Sequence, residues 1–246
     1  MKKRGYQERF YREWIKKEDL IIKHILIKET DLFVSTDRLV DEDFLKTQIN
    51  RYRADIEGYI AKDKDFLQSL VPVKVTRDAP SIVKDMAKAA KLCCVGPMAA
   101  VSGAIAQYLG RSLLDKCHEI IIENGGDIFL KVKKQRKIGI YAGDSPLSGK
   151  IALKIEPRQT PLGVCTSSGT VGHSLSFGNA DGAVIVAKSV VLADALATAS
   201  GNLVKDARDI NKAIEFTKTI PGVKGAVIIV GRSLGIWGDI EIINVN

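Results

Sequence analysis

Apolar and polar residues along this chain follow two different periods, and the changes of period mark its elements. Residues 19–37 alternate in the manner of strands, with a break near residues 29–31, which predicts two strands. Residues 41–70 carry an apolar stripe at helical spacing beside charged positions, which predicts a helical segment. Pro80 then suits the start of a helix over residues 81–92.

A segment of small residues comes next. Gly96-Pro97 interrupts the chain, and residues 98–109 form a predicted helix built largely of Ala, Gly and Ser. Small side chains let a helix pack close to a sheet, to another helix or to a flat ligand. The pattern leaves packing and ligand binding open as the reason for them.

The stretch 119–130 contains an apolar run, a diglycine and a second apolar run. Three consecutive isoleucines are too few for a helix and predict a buried strand. Gly125 and Gly126 permit positive φ and a close approach of another backbone or a ligand. Glu123, Asn124 and Asp127 place oxygen-bearing side chains around them. Residue types alone favour an ordinary hairpin turn, and a polar binding site is the alternative.

The C-terminal half mixes strands with two helices. The predicted elements are, in chain order, strands at 137–142, 150–156 and 182–188, helices at 190–204 and 210–217, and a hairpin formed by 223–230 and 234–245. Helices and hairpins in mixed order favour an α+β fold in which helices pack on a largely antiparallel sheet.

Hydroxyl side chains cluster within residues 163–177. They are Thr166, Ser167, Ser168 and Thr170, flanked by Gly169 and followed by His173. Such groups can present side-chain and backbone donors to a phosphate or a carbonyl, and a plain loop has the same composition. The GxSxG pattern is absent, so no serine is marked as an activated nucleophile.

Asp194 and Thr198 stand four residues apart in the predicted alanine-rich helix, so they share one face about a turn apart. An acid and a hydroxyl so placed can hold a hard cation such as magnesium, while water and phosphate complete its shell. A buried Asp–Thr hydrogen bond is the structural alternative.

Composition narrows the class of protein. The 246 residues, 46% of them hydrophobic, suffice for a full core, and we expect one domain over residues 1–246 with a basic extension at residues 1–18. The net charge of +8 is concentrated in residues 1–23 and 131–137. Basic surfaces attract phosphate-bearing partners, but no nucleic-acid module is recognisable, so we expect solvated basic loops.

The cysteines and the hydropathy indicate a cytoplasmic protein. The four cysteines include no CxxC pair and the three histidines are scattered, which argues against structural zinc and against a disulfide framework. No apolar run is long enough for a membrane span, and because the charged N-terminus lacks an apolar core we expect no secretion signal.

Four motifs in order resemble the ApbE superfamily: GPMAAVSGAIA at 96–106, ENGGDI at 123–128, TSSGTVGH at 166–173 and ADALATA at 193–199. The closer resemblance is to its cytoplasmic, uncharacterised ApbE-like branch. ApbE proteins are FAD:protein FMN transferases. With magnesium they cut the FAD diphosphate and attach FMN through its phosphate to a Thr or Ser of a target protein.

The resemblance implies a role for each matching residue. Asp194 and Thr198 match the metal ligands, and a main-chain carbonyl at Ala99 or Ala100 matches the third ligand. The flavin site is implied at Asn124, Gly125, Gly126 and Asp127, and the phosphate region at Thr166, Ser167, Ser168 and Gly169. His173 and Asp194 are the implied catalytic residues.

The chain also departs from the family pattern. Val101-Ser102-Gly103 replaces the usual Ala-Lys-Gly, and residues 173–178 replace HIIDPRTG. Two functions therefore stay open: a magnesium-dependent enzyme that acts on FAD and an acceptor protein, or a non-catalytic module that binds a flavin or another diphosphate-bearing metabolite. The sequence is compatible with a homodimer.

Overall fold

The computed structural model describes residues 19–169 and 177–245. Its strands are β1 Ile21–Ile27, β2 Thr30–Thr36, β3 Ile120–Asn124, β4 Asp127–Lys131, β5 Arg136–Gly139, β6 Ile151–Ile155, β7 Leu162–Ser167, β8 Gly182–Ala187, β9 Val223–Val230, β10 Ser233–Gly238 and β11 Glu241–Asn244. A large sheet has the order β1-β2-β3-β4-β7-β8-β9-β10, and a small one has the order β11-β6-β5. Every pairing in both sheets is antiparallel, as the sequence predicted.

Helices cover one face of the large sheet, and the small sheet covers the other. The helices are α1 Glu42–Lys62, α2 Asp65–Gln68, α3 Ser81–Cys93, α4 Val101–Ser112, α5 Val190–Leu203 and α6 Ile210–Lys218. Successive strand residues point to opposite faces, so Ile120 and Ile122 pack with the helices while Ile121 packs with the small sheet. Because both faces are covered, β3 needs the unbroken apolar run seen in the sequence.

Helix α5 lies at the centre of the helical layer. It packs against α3, α4, β7 and β8, and it is apolar on nearly all sides. The N-cap residue Ser189 accepts a hydrogen bond from the Leu192 N–H at 3.3 Å, and Gln107 Oε1 accepts one from the Val190 N–H at 2.7 Å. A helix buried on all sides can place a polar side chain in the interior, as α5 does with Asp194.

Three predicted elements differ from the structure. The segment 163–177, interpreted as a loop, begins within β7, because Gly163–Ser167 pair with β8 in the large sheet. The last predicted strand is divided at Gly238, whose φ is +103°, and β11 then joins the small sheet. The predicted helix over 98–109 starts as a 3-10 turn, Pro97–Ala100, before α4 begins.

The basic segment 131–137 is only partly solvated. Arg136 is 6% exposed, and its guanidinium donates to Glu119 at 2.8 Å and to both Asp19 oxygens at 2.7 and 3.0 Å. That bidentate contact holds the pKa of Asp19 well below its usual range. Arg136 therefore links the start of β1 to the small sheet, contrary to the expected solvated loop.

The helices of the described residues are short or polar by the standard of a membrane span. None of their helices is long and apolar enough to cross a membrane alone, and α3 with Pro97–Ser112 passes only as a pair bent by 106°.

Candidate functional site

The described parts of the four sequence motifs lie on or next to α5. This helix contacts α4, the 3-10 turn at Pro97–Ala100, β4 and β7, and α4 in turn contacts β3. The carboxylate of Asp194 accepts a hydrogen bond from the Gly103 N–H at 2.8 Å, and the Asn124 side-chain amide donates to the Ser102 carbonyl at 3.0 Å. Asn124, next to the diglycine, and Asp194 of α5 thus bond two consecutive residues of α4.

Gly103 allows α4 and α5 to approach this closely. A Cβ at this position would lie 2.7 Å from the Asp194 Cβ and 2.7 Å from the Val190 carbonyl oxygen. Real side chains do not tolerate such contacts, so only glycine brings its N–H within reach of Asp194.

The diglycine forms the turn between β3 and β4. Gly125 has φ +66° and Gly126 has φ +100°, as a two-residue hairpin turn with positive φ requires. The Gly126 N–H donates to Glu123 Oε1 at 2.9 Å, which ties the turn to β3. The hairpin interpretation is therefore confirmed, and Asn124 and Asp127, which flank the turn, pair with each other across the two strands.

Two buried carboxyls lie side by side. Asp194 is 8% exposed and Asp127 is 6% exposed. Burial raises the pKa of Asp194 to about 7, although the Gly103 N–H lowers it in part. Burial also raises the pKa of Asp127 well above its ordinary value, and the neighbouring charge of Asp194 adds to the shift.

These carboxyls have few partners in the protein. No Lys or Arg among the described residues forms an ion pair with either of them. Asp127 Oδ1 is buried without a hydrogen-bond partner. Buried anionic oxygens without a countercharge are costly, so the site favours protons or a cation.

Two buried thiols adjoin the carboxyls, and the sequence interpretation missed both. Burial raises the pKa of Cys165, with added contributions from the charges of Asp127 and Asp194, and its Sγ donates to the Val190 carbonyl at 3.5 Å. Burial together with Cys94 and Asp194 raises the pKa of Cys93 to about 12. All four cysteines are free of disulfides. The Cys165 thiol also hydrogen-bonds the Asp127 carboxyl, which adds to the rise in the pKa of Cys165.

The predicted metal ligands lie on α5 and on the 3-10 turn that contacts it. Thr198 is half-buried one turn after Asp194, but no hydrogen bond joins the two side chains in the described structure, where Asp194 instead bonds Gly103. Ala99 is half-buried in the 3-10 turn that contacts α5, and its N–H donates to the Gly96 carbonyl at 3.1 Å. The described residues contain no cluster of three His, Cys, Asp or Glu side chains fit for a metal. A cation here would need hydroxyl or carbonyl oxygens besides Asp194.

The predicted phosphate region is described only in part. Thr166 and Ser167 end β7, and the Thr166 carbonyl lies beside Gly126. Ser167 is 8% exposed, and its side chain lies close to Gly201 of α5. Ser168 follows β7, and the Gly169 N–H donates to the Ala180 carbonyl at 2.9 Å. These residues therefore adjoin α5 and the diglycine turn.

His173 and Thr170 lie outside the described residues. The flanking chain is anchored at the C-terminal end of α5, where the Phe177 N–H donates to Asn202 Oδ1 at 2.9 Å. Gly178 packs against the Gly201 carbonyl, and Gly169 packs against Gly178. The residues on either side of segment 170–176 thus lie near the C-terminal end of α5, the helix that carries Asp194.

Comparison with solved structures identifies the class of fold. The chain superposes on the ApbE protein of Thermotoga maritima with a TM-score of 0.61, at 13% identity over 90% of this chain and 96% of that one. Its TM-score is 0.59 with the flavin transferase ApbE of Vibrio cholerae, at 12% identity over 89% and 97% of the two chains. The α+β architecture with its large antiparallel sheet is therefore that of ApbE proteins.

The chain belongs to the family described as AbpE bacteria, whose model matches residues 12–241. It is 45% identical to a UPF0280 protein of Methanococcus aeolicus over 226 residues, 90% of this chain and 91% of the relative. A UPF0280 protein of Methanocaldococcus jannaschii is 44% identical over 226 residues, 89% of this chain and 91% of the relative. The resemblance stated from the four motifs is confirmed.

Proposed function

We propose that the protein binds FAD or a similar diphosphate-bearing flavin and, with magnesium, cleaves the diphosphate and transfers the flavin phosphate to an acceptor hydroxyl. The observation that carries this proposal is the buried Asp194, which the described residues leave without a cationic partner beside a second buried carboxyl, Asp127. The neighbouring proteins named flavin transferases support the same assignment.

The residues at the site suit a hard cation. Asp194 offers the oxygen that does not bond Gly103, Thr198 offers a hydroxyl, and Ala99 offers its main-chain carbonyl. All are oxygen donors, which magnesium prefers. When bound, magnesium neutralises the charge that develops on the phosphates.

The chain's own groups would hold and orient the substrate. Asp127 and the diglycine turn line one side of the site, and Thr166, Ser167, Ser168 and Gly169 approach from β7. In the reaction, the acceptor oxygen bonds to the phosphorus on the flavin side and the bond from that phosphorus to the AMP oxygen breaks. The acceptor's proton passes to a base, a role for which we propose His173.

Release of AMP from FAD tests this function. Purified protein is incubated with FAD and Mg²⁺, with and without a candidate acceptor protein, and AMP is followed by chromatography. Asp194→Ala should abolish metal-dependent AMP release. Asp85→Asn is the matched control, because the half-buried Asp85 carboxylate of α3 accepts a hydrogen bond from the Tyr108 hydroxyl at 2.9 Å. Equal AMP release by wild type and Asp194→Ala would refute the proposal.

A non-catalytic flavin-binding module is the second candidate. Ser102 favours it, because this residue stands where the ApbE pattern has a lysine and brings no cation to the phosphates. Under this alternative the protein binds FAD, seen as retained yellow colour, and releases no AMP with any acceptor.

Three further properties are proposals about the whole protein. We propose a cytoplasmic location, an acceptor protein as partner and no nucleic-acid partner. Salt-dependent retention on random DNA or RNA would contradict the last of these. A homodimer is a further proposal, tested by the mass of the protein in solution.

A further inference from the structure

A single peptide unit connects Asn124 to Asp194. The Ser102 carbonyl and the Gly103 N–H belong to the same peptide bond. The carbonyl accepts from Asn124 Nδ2 at 3.0 Å, while the N–H donates to Asp194 Oδ2 at 2.8 Å. Three elements, β3, α4 and α5, are thus joined through one planar group.

We propose that Asn124 is a positioning residue for the cation site, which rests on the proposed function. Its amide holds the Ser102–Gly103 peptide plane so that the Gly103 N–H occupies one oxygen of Asp194 and leaves the other directed away from α4. The sequence resemblance assigned Asn124 to the flavin lining, so this role is a different one.

The position of the peptide in α4 makes such control effective. Val101 is the first residue of α4, so the Gly103 N–H is one of the helix-terminal donors without an intrahelical acceptor. Such a donor takes its direction from side-chain partners. A hydrogen bond to the carbonyl of a peptide also strengthens the bond made by its N–H, because the peptide is polarised along its length.

Burial and the geometry of the hairpin hold the Asn124 side chain in place beside Ser102. The residue is 6% exposed at the end of β3, and the Gly125-Gly126 turn that follows it is fixed by Glu123 through the Gly126 N–H at 2.9 Å. The amide therefore approaches Ser102 from a rigid hairpin. Groups that orient a metal ligand typically change metal affinity 10–100-fold when they are lost.

Gln107 provides a matched control. Its buried side chain also joins α4 to α5, because Oε1 accepts from the Val190 N–H at 2.7 Å and from Ser189 Oγ at 3.2 Å. In the described structure its side chain forms no hydrogen bond with Asp194 or with the Ser102–Gly103 peptide. Gln107→Leu therefore removes a buried amide between the same helices without removing the proposed control of Asp194.

The test compares wild type, Asn124→Leu, Asn124→Ala and Gln107→Leu. Mn²⁺ affinity is measured by the electron paramagnetic resonance of the free ion, metal-free FAD affinity by fluorescence, and the Gly103 amide proton by NMR. Both Asn124 variants should bind Mn²⁺ about tenfold more weakly and shift the Gly103 amide proton upfield, with unchanged metal-free FAD affinity. Asn124→Ala removes the amide with a smaller side chain in case Asn124→Leu fails to fold.

The outcomes separate the two proposals. Wild type that binds no Mn²⁺ refutes the proposed function, and the positioning role with it. Wild type that binds Mn²⁺ alongside Asn124 variants within twofold of it refutes the positioning role alone. Weaker metal-free FAD binding by those variants, or an equal loss of Mn²⁺ affinity in Gln107→Leu, would also overturn it, because either result marks a ligand contact or a general packing effect.

Discussion

At the scale of single residues, glycine positions decide how closely the site is assembled. Gly103 faces backbone and a carboxylate at distances that no side chain tolerates, whereas Gly58 of α1 has nothing within 4 Å of an added Cβ. The two glycines look alike in the sequence, since both lie in helical segments. Their substitution should therefore separate close approach from helix propensity.

We expect Gly103→Ala to lower the free energy of unfolding by about 1–3 kcal/mol, because the Val190 carbonyl and Asp194 must move apart. Gly58→Ala should raise it by about 0.5–1 kcal/mol, because alanine favours an exposed helix. Urea denaturation followed by circular dichroism measures both. Stabilisation by Gly103→Ala would contradict the close contact between α4 and α5.

Residue-level chemistry was predicted unevenly from the sequence. Asp194, Asn124 and Asp127 stood out because polar side chains beside apolar runs need partners. In the structure Asp194 bonds Gly103, Asn124 bonds the adjacent Ser102, and the charge of Asp194 acts on Asp127. Cys165 and Cys93 carried no such signal, because a buried free thiol resembles any small apolar residue. Arg136 was hidden among exposed lysines, since its partners Asp19 and Glu119 are distant in sequence.

At the scale of elements, the β3–β4 hairpin carries the polar side of the site. Its turn needs positive φ at Gly125 and Gly126. Gly231, in the turn between β9 and β10, also has positive φ, +57°. Gly231 has open space around it. Alanine at Gly126 or at Gly231 would therefore strain the backbone in a similar way, once inside the candidate site and once outside it.

We expect Gly126→Ala and Gly231→Ala to destabilise the protein by a similar amount, about 1 kcal/mol, because both force alanine into the left-handed region. Only Gly126→Ala should also weaken FAD binding, since it displaces Asp127 and the turn beside it. Thermal melts and fluorescence titration check the two effects. Equal FAD affinities in the two variants would place the hairpin outside the ligand site.

Element boundaries show which patterns the sequence could resolve. The isoleucine run and the diglycine predicted β3 and its turn, because buried strands and positive φ leave clear local signals. The sequence did not predict the strand β7, because a glycine and several hydroxyl residues in a row are typical of a loop. Gly163 is needed there for contact with Val190, which would lie 2.7 Å from a Cβ, and only the tertiary packing reveals that need.

At the scale of the whole molecule, the protonation state of Asp194 affects the stability of the fold. The pKa of Asp194 is about 7 in the fold, against an ordinary value of 3.8. Because the pKa is raised in the fold, the proton on Asp194 stabilises the folded protein. This stabilisation is complete below about pH 4 and is lost as pH rises through about 7. It amounts to at most about 4 kcal/mol of the free energy of unfolding. Asp127, whose pKa is also raised, adds a contribution of the same sign.

We expect metal-free protein to lose melting temperature from pH 5.5 to pH 8, and Mg²⁺ to restore part of the loss mainly at pH 8, because only the ionised carboxylate binds the cation. Asp194→Asn should flatten the decline in part, since Asp127 remains, and should remove the effect of Mg²⁺. Asp85→Asn should keep both behaviours. Differential scanning calorimetry with EDTA or Mg²⁺ at each pH makes the comparison.

Equal stabilisation of wild type and Asp194→Asn by Mg²⁺ at pH 8 would show that the cation binds elsewhere. A melting temperature of wild type that rises with pH would show that ionised Asp194 is already balanced by a charge within the protein.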